Sequence, residues 1–345
     1  MQPTTGKPLS AGKLPFELLV DLLRDHTPAP SELVLGAQIG EDACAIKLPP
    51  GVLVAATDPI TLTSEDAGRL AVAVNANDVA VSGARPRWFM AVVLVPPGTD
   101  EEFVRELFTS IRCELAGFGA YLVGGHTEVT AAVTRPVVVG QMFGLAENGR
   151  ALTTGGVDEG DVLVQVRAAP IEGAAVLARE ASASLDAVDP SVLAAARNAL
   201  EEPGISVVGP AILATGLGAS ALHDPTEGGF AGGLHEMARA AGLRLVVDRE
   251  RVLWFRPGVE VCRALGADPW ETLASGTLLA AFPPDRIDDA LAAFTRENHD
   301  ASVVGRAERG TGVVDTNGAP IEWPARDEVA RLLTGGGDER PGATI

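Results

Sequence analysis

Four aspartates carry the chemistry this sequence offers. Asp42, Asp58, Asp78 and Asp224 each sit beside glycine, asparagine or proline, at a turn, a strand end or a helix stripe. Carboxylates so spread are hard oxygen donors, and they suit Mg²⁺, which keeps several waters and binds through a few carboxylates plus substrate phosphates. Other chemistries find little support. The glycines match neither GxxxxGK[ST] nor a GxGxxG after a first strand, so an ordinary P-loop and a Rossmann site are not expected. No Ser-His-Asp or Cys-His arrangement stands out, and His223 and His235 read as loop or helix histidines. The three cysteines, Cys44, Cys113 and Cys262, form no CxxC, which leaves neither a zinc site nor a disulfide framework.

The elements that must position these acids centre on Ser64 to Pro86, SEDAGRLAVAVNANDVAVSGARP. It reads as one helix, capped by Thr63 or Ser64, with Glu65 and Asp66 in the first turn and Gly83 and Pro86 at its end. Its body is Ala, Val and Leu, yet Asn75, Asp78 and Ser82 fall on one face. That stripe either faces solvent or serves a buried charge, which must be paired or bound to a metal. Asp58 ends a strand over 52–56, at the edge where α/β proteins bind ligands. Asp42 lies at the Gly40-Glu41-Asp42 turn. A strand over 121–123 is expected to stop at Gly124-Gly125-His126-Thr127, a glycine turn able to bring N–H groups to an anion. In HDPTEGGFAGGLHEMARAAG, Asp224 as N-cap, Pro225 at the first helical position and Glu227 make a sound helix start on structural grounds alone. Gly228, Gly229, Gly232 and Gly233 then cost roughly 1 kcal/mol each against Ala, so another backbone or a ligand approaches closely. A phosphate would suit the free N–H groups there.

Length and composition set the frame. The 345 residues suggest about two domains of roughly 150 each. Hydrophobic residues make up 46 % and aromatics only 4 %, so the core is built of small side chains in close approach. A formal net charge of −19 argues against nucleic acid or an anionic membrane surface as partner. No apolar run nears the ~20 residues of a membrane span and no signal-peptide pattern is seen, so a cytoplasmic protein is expected. The Gly- and Thr-rich stretch 146–161 marks the expected boundary, giving domains over 1–150 and 151–333 and a disordered tail over 334–345. Each domain is an α/β series. The first adds a strand over 88–95, a helix over 101–118 and a strand over 136–145. The second has strands over 162–166, 243–247, 278–282 and 302–307.

The succession GEDACAI, TDPIT, NANDVAVSGARP, GGHTEVT, HDPTEGG and SGTLL resembles the aminoimidazole ribonucleotide synthetase (PurM)-like superfamily over almost the whole chain. That group includes thiamine-monophosphate kinase, selenophosphate synthetase and the hydrogenase maturation protein HypE, and HypE-like or AIR synthase-related members are nearest in motif. The resemblance implies an α/β (α+β) fold of two domains, the N-terminal strands pairing across a homodimer into a β-barrel. It implies ATP with Mg²⁺, held by Asp42, Asp58, Asp78 and Asp224 as metal ligands. Asn75, Gly124, Gly125, Thr127, Gly228 and Gly229 would bind the nucleotide, and Asp224 and His126 would be catalytic. The implied activity is phosphorylation of an amide, carboxamide or similar oxygen. A small-molecule kinase and a nucleotide-binding scaffold without turnover are the rivals. His126 stands where thiamine-monophosphate kinase and HypE usually carry Asp. Also missing are the Cys- and Lys-containing loop of the selenium enzymes and HypE's Pro-Arg-Ile-Cys tail, here Pro-Gly-Ala-Thr-Ile. The expected substrate is therefore diffusible or on another protein.

Overall fold

The computed structural model describes residues 9, 16–23, 30–35, 45–61, 66–146 and 149–333. Asp42, Cys44, the expected cap residues Thr63 and Ser64, and the tail over 334–345 lie outside them. The chain divides into two compact units, Met1–Ala151 and Leu152–Ile345.

In the first unit the order is α1 (Phe16–Leu23), β1 (Leu33–Leu35), β2 (Ala45–Ile46), β3 (Val52–Ile60), α2 (Ala67–Val81), β4 (Arg85–Val95), α3 (Glu101–Phe118), β5 (Tyr121–Val129) and β6 (Val137–Ala146). Its main sheet runs β3-β6-β4-β5, antiparallel except for the β4–β5 pair. The central helix α2 packs on this sheet through one side and on α3 through the other. This accounts for its apolar composition all round, since a helix covered on both sides has no solvent stripe to signal. It begins later than expected. Asp66 is its N-cap in a left-handed conformation and so lies before the first turn, and Glu65 is outside the described residues.

The Gly-Gly turn expected after residue 123 does not form. The chain continues as strand through Gly124 to Val129, paired in parallel with Met90 to Val95 of β4. The glycine that suggested a turn serves this pairing. A Cβ on Gly125 would lie 2.0 Å from the carbonyl oxygen of Ala91.

In the second unit the order is β7 (Val162–Val166), α4 (Glu172–Glu180), α5 (Pro190–Arg197), α6 (Val208–Gly216), β8 (Ala221–His223), α7 (Gly229–Ala241), β9 (Arg244–Val247), α8 (Arg256–Leu265), β10 (Leu278–Phe282), α9 (Ile287–Arg296), β11 (Ala301–Glu308), β12 (Gly312–Asp315) and α10 (Glu328–Leu333). The sheet order is β12-β9-β11-β7-β10-β8, antiparallel except for β12–β9. β10 is buried at every position, as a central strand covered on both faces must be. One core, around Phe230, Leu234, Met237 and Leu279, lies under α7; a second, around Leu177, Val261 and Leu273, joins α4 and α8.

Candidate functional site

Asp58 stands on β3 opposite Gly140 of β6. Asn75, fully buried in α2, fixes it there: Asn75 Oδ1 accepts the Asp58 N–H at 2.8 Å, and Nδ2 donates to the carbonyls of Asp58 (3.3 Å) and Ala71 (2.8 Å). The clamp needs a glycine beneath it, because a Cβ on residue 140 would fall 2.4 Å from Asn75 Nδ2. Gly140 was not singled out from sequence; its partner lies on a helix 65 positions earlier, and no local pattern announces the contact.

Asp78, one turn beyond Asn75, brings its carboxyl to that of Asp58. The two share a hydrogen bond, and burial, with the Asp58 charge added, pushes Asp78 up to about 7. Two carboxylates of which one keeps its proton up to about pH 7 form a site short of positive charge. An all-oxygen pair of this kind fits Mg²⁺, which takes one or two carboxylates and fills its remaining positions with water and phosphate oxygens. Among the described residues, no group of three or more His, Cys, Asp or Glu is arranged to hold a metal. Ser82, the third residue of the expected stripe, donates to the Asp78 carbonyl at 3.2 Å and caps the helix end instead of joining the pair.

The Gly124 to Thr127 segment lies elsewhere on the sheet. Asp58, Gly140, Ala91 and Gly125 are in register across the four strands, and Gly140 faces α2. With ~4.8 Å per strand, Gly125 is about 14 Å from Asp58. Thr127 shares the α2 side with Gly125, and His126, by alternation, points to the other. There its Nε2 lies 3.7 Å from Glu128 Oε2, both side chains exposed. Within this unit the sheet separates His126 from the acid pair.

In the second unit, Asp224 follows β8 with its side chain buried. It does not cap a helix. The helix starts five residues later, with Gly228 as a left-handed N-cap and Gly229 also at positive φ. The reason is tertiary. Asp327 Oδ2 accepts the Gly228 N–H at 2.9 Å, and the Thr226 carbonyl accepts N–H groups from Gly229 (3.0 Å) and Ala274 (3.2 Å). A Cβ on Gly229 would meet the Trp270 carbonyl at 2.6 Å. The close approach inferred from these glycines is thus made by the chain's own 270–272 segment, and the amide of Gly228 is already engaged.

Sequence reading also missed an acidic focus here. Glu172 in the first turn of α4 bonds Ser275 and faces Asp327 and Glu227; burial raises it, and burial raises Asp327 as well. Asp327 precedes the apolar run of α10 and caps it, its Oδ1 accepting the Val329 N–H at 2.8 Å. An Asp before such a run is a legible cap signal. Its second bond, to Gly228, is not legible.

Comparison with known proteins gives the following. The model for "AIR synthase related protein, N-terminal domain" matches residues 40–146, and that for the C-terminal domain matches 158–316. A carbamoyl dehydratase HypE from Rhodobacter capsulatus is 32 % identical over 254 residues, 72 % of each chain. Among solved structures, HypE in complex with ATP superimposes with a TM-score of 0.72 at 23 % identity, over 85 % of this chain and 90 % of that one. A thiamine-monophosphate kinase from Stenotrophomonas maltophilia K279a gives 0.73 at 19 % identity, over 91 % and 100 %. The fold is therefore the two-domain one that the motif succession implied.

Proposed function

We infer the function from one premise: the chain belongs to the AIR synthase related protein family. On that basis it is a Mg²⁺- and ATP-dependent enzyme that activates an amide or carboxamide oxygen by phosphorylation. The observation that carries this reading is the Asp58–Asp78 pair, clamped by Asn75 and holding a proton that a cation would displace. The relative's name, carbamoyl dehydratase, describes chemistry of this class, and an ATP complex is known for a protein of the same fold.

In this account Asp58 and Asp78 hold the metal. With a metal bound, Asp78 would be held without its proton, and the hydrogen bonds of Asn75 would hold the Asp58 backbone in place. Bound Mg²⁺ supplies charge neutralisation on the transferring phosphoryl group. By the family motifs alone, Asp42 and Asp224 would join the metal set, Asp224 would act on the substrate, and Gly124, Gly125, Thr127, Gly228 and Gly229 would line the nucleotide; His126, across the sheet from the acid pair, is given no role in it. For Gly228 this requires a ligand to share or replace the Asp327 bond.

A homodimer belongs to the same reading. The sheet face away from α2 carries half-buried Met90, Val92, Leu94, Val139 and Phe143, and β3 and β5 are sheet edges. A two-fold pairing into a barrel covers both the face and the edges. No helix among the described residues is long and apolar enough to cross a membrane, and an ATP-dependent role suits the cytoplasm.

Product analysis tests the reaction. With Mg²⁺, ATP and a panel of amides and carbamoylated thiols, ADP release should track loss of the amide oxygen, and Asp78→Asn should stop both. A small-molecule kinase uses the same two carboxylates, so accumulation of a stable phosphorylated product would replace this reading with that one.

A further inference from the structure

Outside these acids, the second unit holds a cleft of about 440 Å³ at the start of α8. Trp254 and Trp270 line it, their rings 5.2 Å apart and edge-to-face, both resting on buried Phe230 at 6.4 and 5.7 Å. The lining also includes one face of α8, where Arg256, Val259, Glu260 and Arg263 follow helical spacing. The other face of α8 is spent on the core through Val261 and Cys262. Arg249, by contrast, is occupied: it lies 5.1 Å over the Trp270 ring and pairs with Asp315 at 3.4 Å. The Arg256 and Arg263 guanidiniums have no carboxylate or carbonyl partner among the described residues, and both are exposed. With Glu260 this face carries a net charge of +1 in a chain whose total is −19.

We propose that this cleft binds a small ligand made of a flat aromatic ring bearing one carboxylate or phosphate group. The rigid indoles offer ring surface without the entropy cost of ordering flexible side chains. A guanidinium supplies a forked, charge-assisted contact to the anionic group. The cleft volume is that of a small-molecule site. Arg256 and Arg263 stand two helical turns apart, about 10 Å, so a ring lying between them meets one or the other with its anionic end. This proposal does not rest on the Asp58–Asp78 reading.

Phenyl phosphate is the probe, titrated into the full chain with Mg²⁺ and ATP already saturating, and read by tryptophan fluorescence in a Trp323→Phe background. Benzyl alcohol and inorganic phosphate run in parallel. The expected result is a saturable change with phenyl phosphate alone, at least tenfold weaker in the Arg256→Gln/Arg263→Gln double variant. Both positions are exposed, so the melting temperature should hold. The proposal is overturned by no saturation below about 10 mM, by equal binding of benzyl alcohol, or by an unchanged double variant. Capture of an acidic aromatic peptide without binding of phenyl phosphate also overturns it. None of these touches the assignment of the acid pair.

Discussion

Among the described residues, carboxylates drawn out of water meet at Asp58–Asp78 and at Glu172–Asp327, and the two places are built differently. At Asp327 the protein has supplied the partners: backbone N–H groups of Gly228 at 2.9 Å, Val329 at 2.8 Å and Ala330, and nearby Glu172 has the Ser275 hydroxyl. At Asp78 the partner is another acid, Asp58, and the helix contributes only the means to hold that acid still. Both Asp327 and Asp78 are raised by burial, so the direction of titration does not tell them apart. The inventory of donors does. A carboxylate whose charge is met by N–H and O–H donors of the fold is a structural tie, even beside other acids; one whose side-chain partner is a second carboxylate is a place for a cation that folding did not provide.

The largest expected effect breaks the first half of this comparison. Asp78→Asn should weaken Mg²⁺–ATP binding by about two orders of magnitude, ~2.7 kcal/mol, read by calorimetry. The same substitution should stabilise the free protein above pH 7. Asp78 holds its proton to about 7 when folded and to 3.8 when unfolded. Its favourable contribution, present below 3.8, is lost as pH rises through 7, at up to about 1.4 kcal/mol per pH unit. The variant carries no such loss, so its gain should appear at pH 8 and vanish at pH 4. A gain equal at both would mean that Asp78 is not the proton holder.

Next in size is the opposite behaviour at Asp327. Asp327→Ala removes a helix cap and leaves the half-buried Gly228 N–H without its acceptor, for a loss of about 2 kcal/mol in urea unfolding. Nucleotide affinity of the folded fraction should hold or rise, because the Gly228 N–H that a nucleotide would otherwise share with Asp327 is then free. A large affinity loss there would put the second acidic focus inside the nucleotide site.

A smaller effect sharpens the distinction by pH alone. A cation must displace the proton that Asp78 holds to about 7, so Mg²⁺-dependent binding should weaken about tenfold between pH 8 and pH 6. In Asp78→Asn the residual binding should be flat over that range.

Much of this arrangement could be read beforehand, and the exceptions share a cause. Helix α3 and strands β7 and β10 occupy the residues their periodicity indicates. Asp58, Asn75 and Asp78 were legible together because one strand-to-helix connection joins them and a three-residue spacing sets their face. What failed was local reading of glycine. Gly124-Gly125 suggested a turn, yet Gly125 is required by the passing backbone of Ala91. Asp224 and Pro225 made a proper helix start, but the helix begins at Gly229 because Asp327, 99 residues beyond Gly228, holds the loop open. The Arg256–Arg263 face also escaped notice, since helical spacing shows a stripe but not the tryptophans that line the cleft with it.

The central claim is that the Asp58–Asp78 pair exists to take a divalent cation together with a nucleotide. Thermal melts of the wild-type chain at pH 8 with ATP, run with Mg²⁺ and again with EDTA, test it most directly. At a free ligand concentration of 100 times Kd, the account predicts about 2.7 kcal/mol of added stability with Mg²⁺ and none with EDTA. Equal stabilisation in both conditions would contradict it.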